Sequence, residues 1–514
     1  MSPSVSTNTQ TSNLQTSVAI NEPHIVIEGG YPLSGSIQVA GSKNAALALI
    51  AGTLLATSGV TVLHNLPNIT DIADLVAILN SMGAIAELSQ GNSTLTVDAS
   101  AGRFNEPPPH LVSRMRGSLQ LLGPLLARQG IVRLAMPGGC NIGARAVDLH
   151  EKGLRGLGAT WTIDAGCFFA EAPFDGLVGG AVYLDKPSVG ATMNTMMAAS
   201  LATGVTTIEN AAQEPDVVDL ANLIVAMGGL IEGQGTSRIT VTGVESLHGC
   251  EFNVSPDRIE AGTYAIAAVA TGGDITLIGA DFNALSPVLS KLTDMGAHVA
   301  HDGNHVRVWS GPVQTLTGTS IVASPHPGFP TDLQQPFTSL LTLVHGTNTI
   351  HDSVYEGRFG HIPYLTKMGA NIKVEGSVTI VTGVSTLSGA DVKATDLRAG
   401  AALVVAPRVA AAEVKAGAAI AAGEAAAVAH WAVPAVATLA ALQVAAGGAA
   451  TAAAESPETA LAATVWGMEA TVWGMAATVW GMAPPVEADG SNSSRYNAGA
   501  APLSPAVWRG CGGG

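Results

Sequence analysis

One thiol in this chain stands where chemistry is plausible. Cys140 follows Gly138 and Gly139 and runs into Asn141-Ile142-Gly143-Ala144-Arg145. Paired glycines let the backbone approach a ligand closely and take conformations closed to other residues. A cation five positions on, Arg145, favours thiolate and would pull the thiol below the free-cysteine pKa of about 8.5. The apolar stretch from Gly130 to Met136 reads as a buried strand, which places the thiol on a loop leaving a sheet. An isolated cysteine is more often a small buried hydrophobe. Here the flanking glycines, with Arg145, Asp148 and His150 downstream, favour a functional site.

Other ionisable residues gather where helices are expected to begin: Lys43-Asn44, Arg114 and Arg116, Ser188-Val189-Gly190, Asp257-Arg258, Thr331-Asp332 and Asp396 to Arg398. If these ends face one cleft, free N–H groups and helix dipoles converge on it, an anion site without a Walker loop. Ordinary N-capping accounts for Asp257, Asp332 and Asp396. It does not account for Lys43, because a cation at a helix N-terminus is unfavourable without an anion nearby.

The elements carrying these ends repeat. A Met/Leu-Gly-Ala/Gly triplet places its glycine at Gly83, Gly158, Gly228, Gly296 and Gly369, at intervals of 75, 70, 68 and 73 residues, which marks an internal repeat. Each unit reads as an apolar helical segment, a short β-branched strand and a second helix running up to the triplet. Val189 to Thr203, Thr206-Thr207-Ile208 and Val217 to Met227 form one example. Arg258 to Thr271, Ile275-Thr276-Leu277 and Leu285 to Met295 form another. Such βαβ-like units predict an α/β fold of sheets flanked by helices. A sixth unit opens at Ala394 to Arg398 and then stops, with no strand and no closing triplet expected after about Ala406. Residues 407–514 read as an Ala-rich low-complexity tail that includes a tandem heptapeptide, AATVWGM, EATVWGM, AATVWGM, at 462–482.

Composition bounds the partners. At 514 residues the chain can build two or more domains, and a net charge of -16 argues against a nucleic-acid backbone as the bulk partner. The four cysteines (Cys140, Cys167, Cys250 and Cys511) lack metal-ligand spacing, so a reducing compartment and no structural zinc are expected. Residues 1–21, rich in Ser, Thr, Asn and Gln, read as a disordered segment without a secretory signal. Ala425 to Ala454 is long enough to span a bilayer, but it is alanine-dominated and contains Pro434, so a membrane span is the weaker reading.

In family order the chain carries Gly-Ser-Lys-Asn-Ala-Ala, Pro-Gly-Gly-Cys-Asn-Ile-Gly-Ala-Arg, Pro-Asp-Arg-Ile-Glu-Ala-Gly-Thr, Phe-Pro-Thr-Asp-Leu-Gln and Ala-Thr-Asp-Leu-Arg-Ala. Over roughly residues 24–406 it closely resembles the UDP-N-acetylglucosamine 1-carboxyvinyltransferases, enolpyruvyl transferases of peptidoglycan synthesis. The resemblance implies two inverse α/β barrels of three repeats each, residues 22–43 plus 256–406 forming the first domain and 44–255 the second, with the active site between them. It implies a cytoplasmic enzyme without cofactor or metal, whose substrates are phosphoenolpyruvate and UDP-N-acetylglucosamine.

By the same resemblance Cys140, Asp332, Lys43 and Asp396 are catalytic. Asp332 matches a carboxylate near the attacking 3′-hydroxyl, and Cys140 the thiol that protonates the vinyl carbon. Lys43, Arg116 and Arg145 match cations that neutralise phosphate and carboxylate. Asn44, Ala146, Val147, Asp148, Leu149, Lys186, Pro187, Ser188, Val189, Gly190, Val354, Arg358 and Arg398 complete the implied substrate contacts. The chain departs from the family at Gln120 (usually tryptophan), Ala146 (usually proline) and Pro187, and it lacks a His-x-Asp-Arg-Gly-Tyr segment whose arginine clamps phosphoenolpyruvate. A shikimate 3-phosphate transferase would share the fold but needs no thiol. A binding protein derived from the enzyme, impaired or inactive in catalysis, would fit the incomplete sixth repeat.

Overall fold

The computed structural model describes residues 24–89, 91–138, 147–355, 357–406 and 413–417. The segment 1–21 and nearly all of the tail lie outside the described residues. Five units follow one plan: a helix, a strand, a second helix, then an antiparallel hairpin whose second strand pairs with the first strand of the unit. In the third unit these are helix Val189–Ala199, strand Val205–Glu209, helix Pro215–Ala226 and hairpin strands Leu230–Glu232 and Arg238–Thr242. The strand Ala181–Tyr183 pairs in parallel with Val205–Glu209, so strand, helix and strand form a true βαβ crossover.

The first helix of most units has few charged residues and is buried nearly all round. Arg258–Ala270 accordingly buries eleven residues and Val189–Ala199 nine. The second helix is one-sided: Thr70–Met82 buries Ile72, Leu75, Val76, Ile78, Leu79 and Met82 and leaves its other face to water. The triplet glycine ends that helix in every unit with a positive φ, +103° at Gly83, +89° at Gly158, +97° at Gly228, +105° at Gly296 and +96° at Gly369. Only glycine adopts such a backbone without strain, and the turn lets it release the chain into the hairpin.

The buried side chains form two separate cores. One draws on residues between Ala45 and Val254, the other on Leu33 to Val39 together with Ile259 to Ala406. The chain passes between them twice, at residues 40–43 and 254–258, and the two passages are stitched together. Ser42 N donates to Ser255 O at 2.8 Å, Asp257 N to Ala40 O at 2.8 Å, and Ala40 N to the Glu260 carboxylate at 2.9 Å.

Three expectations are corrected. The strand Ile131–Ala135 is half-buried rather than buried, with Ile131 and Arg133 exposed on the outer face of a three-stranded sheet. Each unit carries a hairpin after its triplet, which the apolar pattern had not disclosed. A strand does follow Ala406: Glu413–Gly417 pairs antiparallel with His24–Glu28, from His24 opposite Gly417 to Glu28 opposite Glu413. No helix among the described residues is long and apolar enough to cross a membrane.

Candidate active site

A cavity of about 560 Å³ collects the helix starts of all six units. Its wall includes Lys43 and Asn44, Arg114 and Arg116, Ser188 to Gly190, Arg258, Thr331 and Asp332, and Asp396 to Arg398. Both cores contribute to it. Their positive helix ends and their guanidinium and ammonium groups make the cavity suited to a multiply charged anion.

The most tightly held group is Asp332. It is not a cap: the helix Thr331–Leu341 is preceded by Pro330, and the Asp332 carboxylate turns instead to two arginines. Arg358 Nη1 lies 2.6 Å from Oδ1 and Arg398 Nη2 3.3 Å from Oδ2, both arginines being buried. Burial pushes the carboxyl up, but Arg358, Arg398 and the more distant Arg258 outweigh it and hold the carboxyl well below the usual range. Asp257 and Asp396 do cap as expected, Asp396 Oδ1 accepting from Arg398 N at 3.0 Å and Ala399 N at 3.1 Å. Val354 is aimed by Asp352, a fully buried carboxylate that accepts from Val354 N and Tyr355 N at 2.9 Å each and from Thr331 Oγ1 at 2.6 Å.

Lys43 has its anion. Its Nζ sits 2.6 Å from Asp71 Oδ2, and the helix it opens is capped by Ser42, whose Oγ accepts from Ala45 N. Ser42 Oγ also donates to Asp216 Oδ1 at 2.7 Å, and Asp216 Oδ2 lies 3.6 Å from Arg258 Nη2. The Glu214 carboxylate accepts from His326 N at 3.2 Å. Asp71, Asp216 and Glu214 were not legible as site residues, because each lies far in sequence from the motif it serves.

On the other side of the cavity Asp148 and Leu149 begin the helix Asp148–Arg155, and Lys186, Pro187 and Ser188 lead into Val189–Ala199. Ser188 caps that helix through Ala191 N. Gln120 lines this side as well. Val147 packs against the first core instead of lining the cavity. Cys140, Arg145 and Ala146 lie outside the described residues. Of the other thiols, Cys167 is buried in the strand Cys167–Glu171, and burial pushes the Cys250 thiol up, so both are poor nucleophiles.

Comparison with known proteins agrees with this architecture. The sequence profile of the family described as EPSP synthase (3-phosphoshikimate 1-carboxyvinyltransferase) matches residues 27–423. The enolpyruvyl transferase NikO from Streptomyces tendae superposes with a TM-score of 0.68 at 29% identity, over 77% of this chain and 93% of that one. An EPSP synthase from Acinetobacter baumannii, at 18% identity, 76% and 93% coverage and a TM-score of 0.58, shares the fold. Fold and site thus define a carboxyvinyl transferase. The UDP-N-acetylglucosamine 1-carboxyvinyltransferase of Lawsonia intracellularis is 43% identical over 382 residues, and that of Clostridium botulinum 46% over 380, each alignment covering 74% of this chain and 90% of the relative. The chain belongs to the UDP-N-acetylglucosamine 1-carboxyvinyltransferase family.

Proposed function

We propose that this protein transfers the enolpyruvyl group of phosphoenolpyruvate to the 3′-hydroxyl of UDP-N-acetylglucosamine, releasing phosphate, in the cytoplasmic opening step of peptidoglycan synthesis. The observation that carries this reading is the convergence of six helix starts, with Lys43, Arg116, Arg258, Arg358 and Arg398, on one cavity that also holds Asp332. We assign residues 22–43 plus 256–406 to one domain and 44–255 to the other, each with its own core.

The 3′-oxygen attacks C2 of phosphoenolpyruvate while Cys140 gives its thiol proton to C3, forming a tetrahedral adduct. The bond from C2 to the phosphate oxygen then breaks, C3 returns a proton to the Cys140 thiolate, and the vinyl ether remains. Lys43, Arg116 and Arg145 neutralise the phosphate and carboxylate, and Asp148, Leu149 and Lys186 to Gly190 hold the nucleotide sugar. Asp332 takes the hydroxyl proton. Held by two guanidinium groups it is a weak base, so placement beside the hydroxyl supplies most of its effect. An incoming phosphoenolpyruvate carboxylate competes for Arg358 and Arg398, and each contact it gains there leaves Asp332 more basic.

The test is phosphate release in the presence of chelator. It should require both phosphoenolpyruvate and UDP-N-acetylglucosamine. Release with shikimate 3-phosphate in place of the nucleotide sugar would overturn the assignment.

A further inference from the structure

Asn194 is fully buried in the helix Val189–Ala199, one turn in from the cavity. Its carboxamide has one orientation. Gly123 N donates to Oδ1 at 2.7 Å, and Nδ2 donates to Leu119 O at 3.0 Å. The same Nδ2 lies 3.0 Å from His150 Nδ1 and 3.3 Å from Gly190 O. An amide nitrogen offers hydrogens and accepts none, so Nδ1 must be the acceptor and carries no proton. The neutral ring therefore keeps its single proton on Nε2. A second proton, on Nδ1, would face the amide hydrogens of Asn194. Burial, and after it the charge of Arg116, act in the same direction and bring the His150 pKa down to about 4.

The other edge of this ring, Cε1 and Nε2, faces Gly190, and both residues line the cavity. His150 lines the cavity beside Gly190, where a Cβ would come within 3.1 Å of Nε2, so glycine there leaves the edge uncovered. The cavity is otherwise dominated by charged groups. His150 is a buried N–H donor that stays uncharged, and it sits beside the helix start at Ser188 to Gly190.

We propose that Asn194 is a positioning residue that locks His150 in its neutral Nε2–H form, and that His150 offers this N–H to an oxygen of the nucleotide sugar. The proposal rests on the assignment of UDP-N-acetylglucosamine as substrate. Asn194 and His150 are 44 residues apart in sequence.

Two measurements test it. Long-range 1H–15N spectra of histidine-labelled protein at pH 7 should show the His150 ring, assigned by its absence from His150→Gln, with Nε2 protonated and Nδ1 bare. Asn194→Asp replaces the donor by an acceptor and should protonate Nδ1. A wild-type ring protonated on Nδ1 overturns the proposal.

Binding of UDP-N-acetylglucosamine by calorimetry is the second measurement. His150→Gln can place an amide N–H near the Nε2 position and should bind like wild type, while His150→Asn places it near Nδ1 and should bind about three- to tenfold more weakly. An equal loss for UDP assigns the contact to the uridine diphosphate part, and a loss confined to UDP-N-acetylglucosamine assigns it to the sugar. Unchanged affinity in His150→Asn overturns the contact. A wild-type protein that fails to bind UDP-N-acetylglucosamine overturns the functional reading, while the ring spectrum still decides the role of Asn194.

Discussion

Asp332 shows how far a residue's chemistry depends on neighbours distant in sequence. Its type and motif mark it as a candidate base, but its partners Arg358 and Arg398 stand 26 and 66 residues away. Asp332→Asn keeps the shape of the side chain and removes the proton acceptor. We expect turnover to fall about 10²- to 10⁴-fold, with UDP-N-acetylglucosamine affinity by calorimetry changed far less. Because the arginines keep the Asp332 carboxyl of the free enzyme well below the usual range, the pH profile of kcat/KM should have no acid limb from Asp332 between about pH 5 and 8. Lys43, Asp332, Asp396 and the segment Lys186 to Gly190 were legible because local motifs announce them. Asp71 and Asn194 were not, since each acts through a contact made only when the chain folds. Asp71 is the partner that a cation at the start of a helix required.

At the scale of elements, the repeat was legible through its glycines and apolar helices. The hairpins were not. Strands such as Ile85–Leu88 and Leu95–Asp98 are four residues long, too short for a period of two to stand out. Gly369 has no atom within 4 Å of a built Cβ, so Gly369→Ala tests backbone conformation alone. At φ +96° we expect a loss of about 1–2 kcal/mol in urea unfolding. The strand Glu413–Gly417 was missed because its neighbours are alanine-rich. Its pairing with His24–Glu28 predicts that a chain ending at residue 417 protects alternate amides of residues 24–28 from hydrogen exchange. A chain ending at 406 should leave that strand edge open and its amides fast. Equal exchange in the two truncations would show that the pairing contributes nothing to stability.

For the molecule as a whole, a buried acid beside the stitched passages ties stability to pH. Burial, followed by the charge of Asp257, raises Glu260 to about 8, against the opposing effects of the Ala40 N–H and Arg398. Between about pH 4.5 and 8 the native protein keeps a proton that the unfolded chain has lost, so stability declines as pH rises through that window. Glu260→Gln retains an acceptor for Ala40 N and should abolish this decline, seen as urea midpoints of variant and wild type that diverge from pH 5 to pH 8. His150 and His361 act at the other side. Burial depresses them to about 4 and about 3, so stability is lost as pH falls below about 6.5. The passages that Glu260 supports have a second consequence. Because Ser42 and Ser255 touch, the first core begins and ends at one point, as an insertion does. A fragment spanning residues 40–257 should fold cooperatively when made alone. The remaining chain, joined from residue 39 to residue 258 by a short glycine linker, should tolerate the excision, and the gene could be circularly permuted at this junction without opening either core.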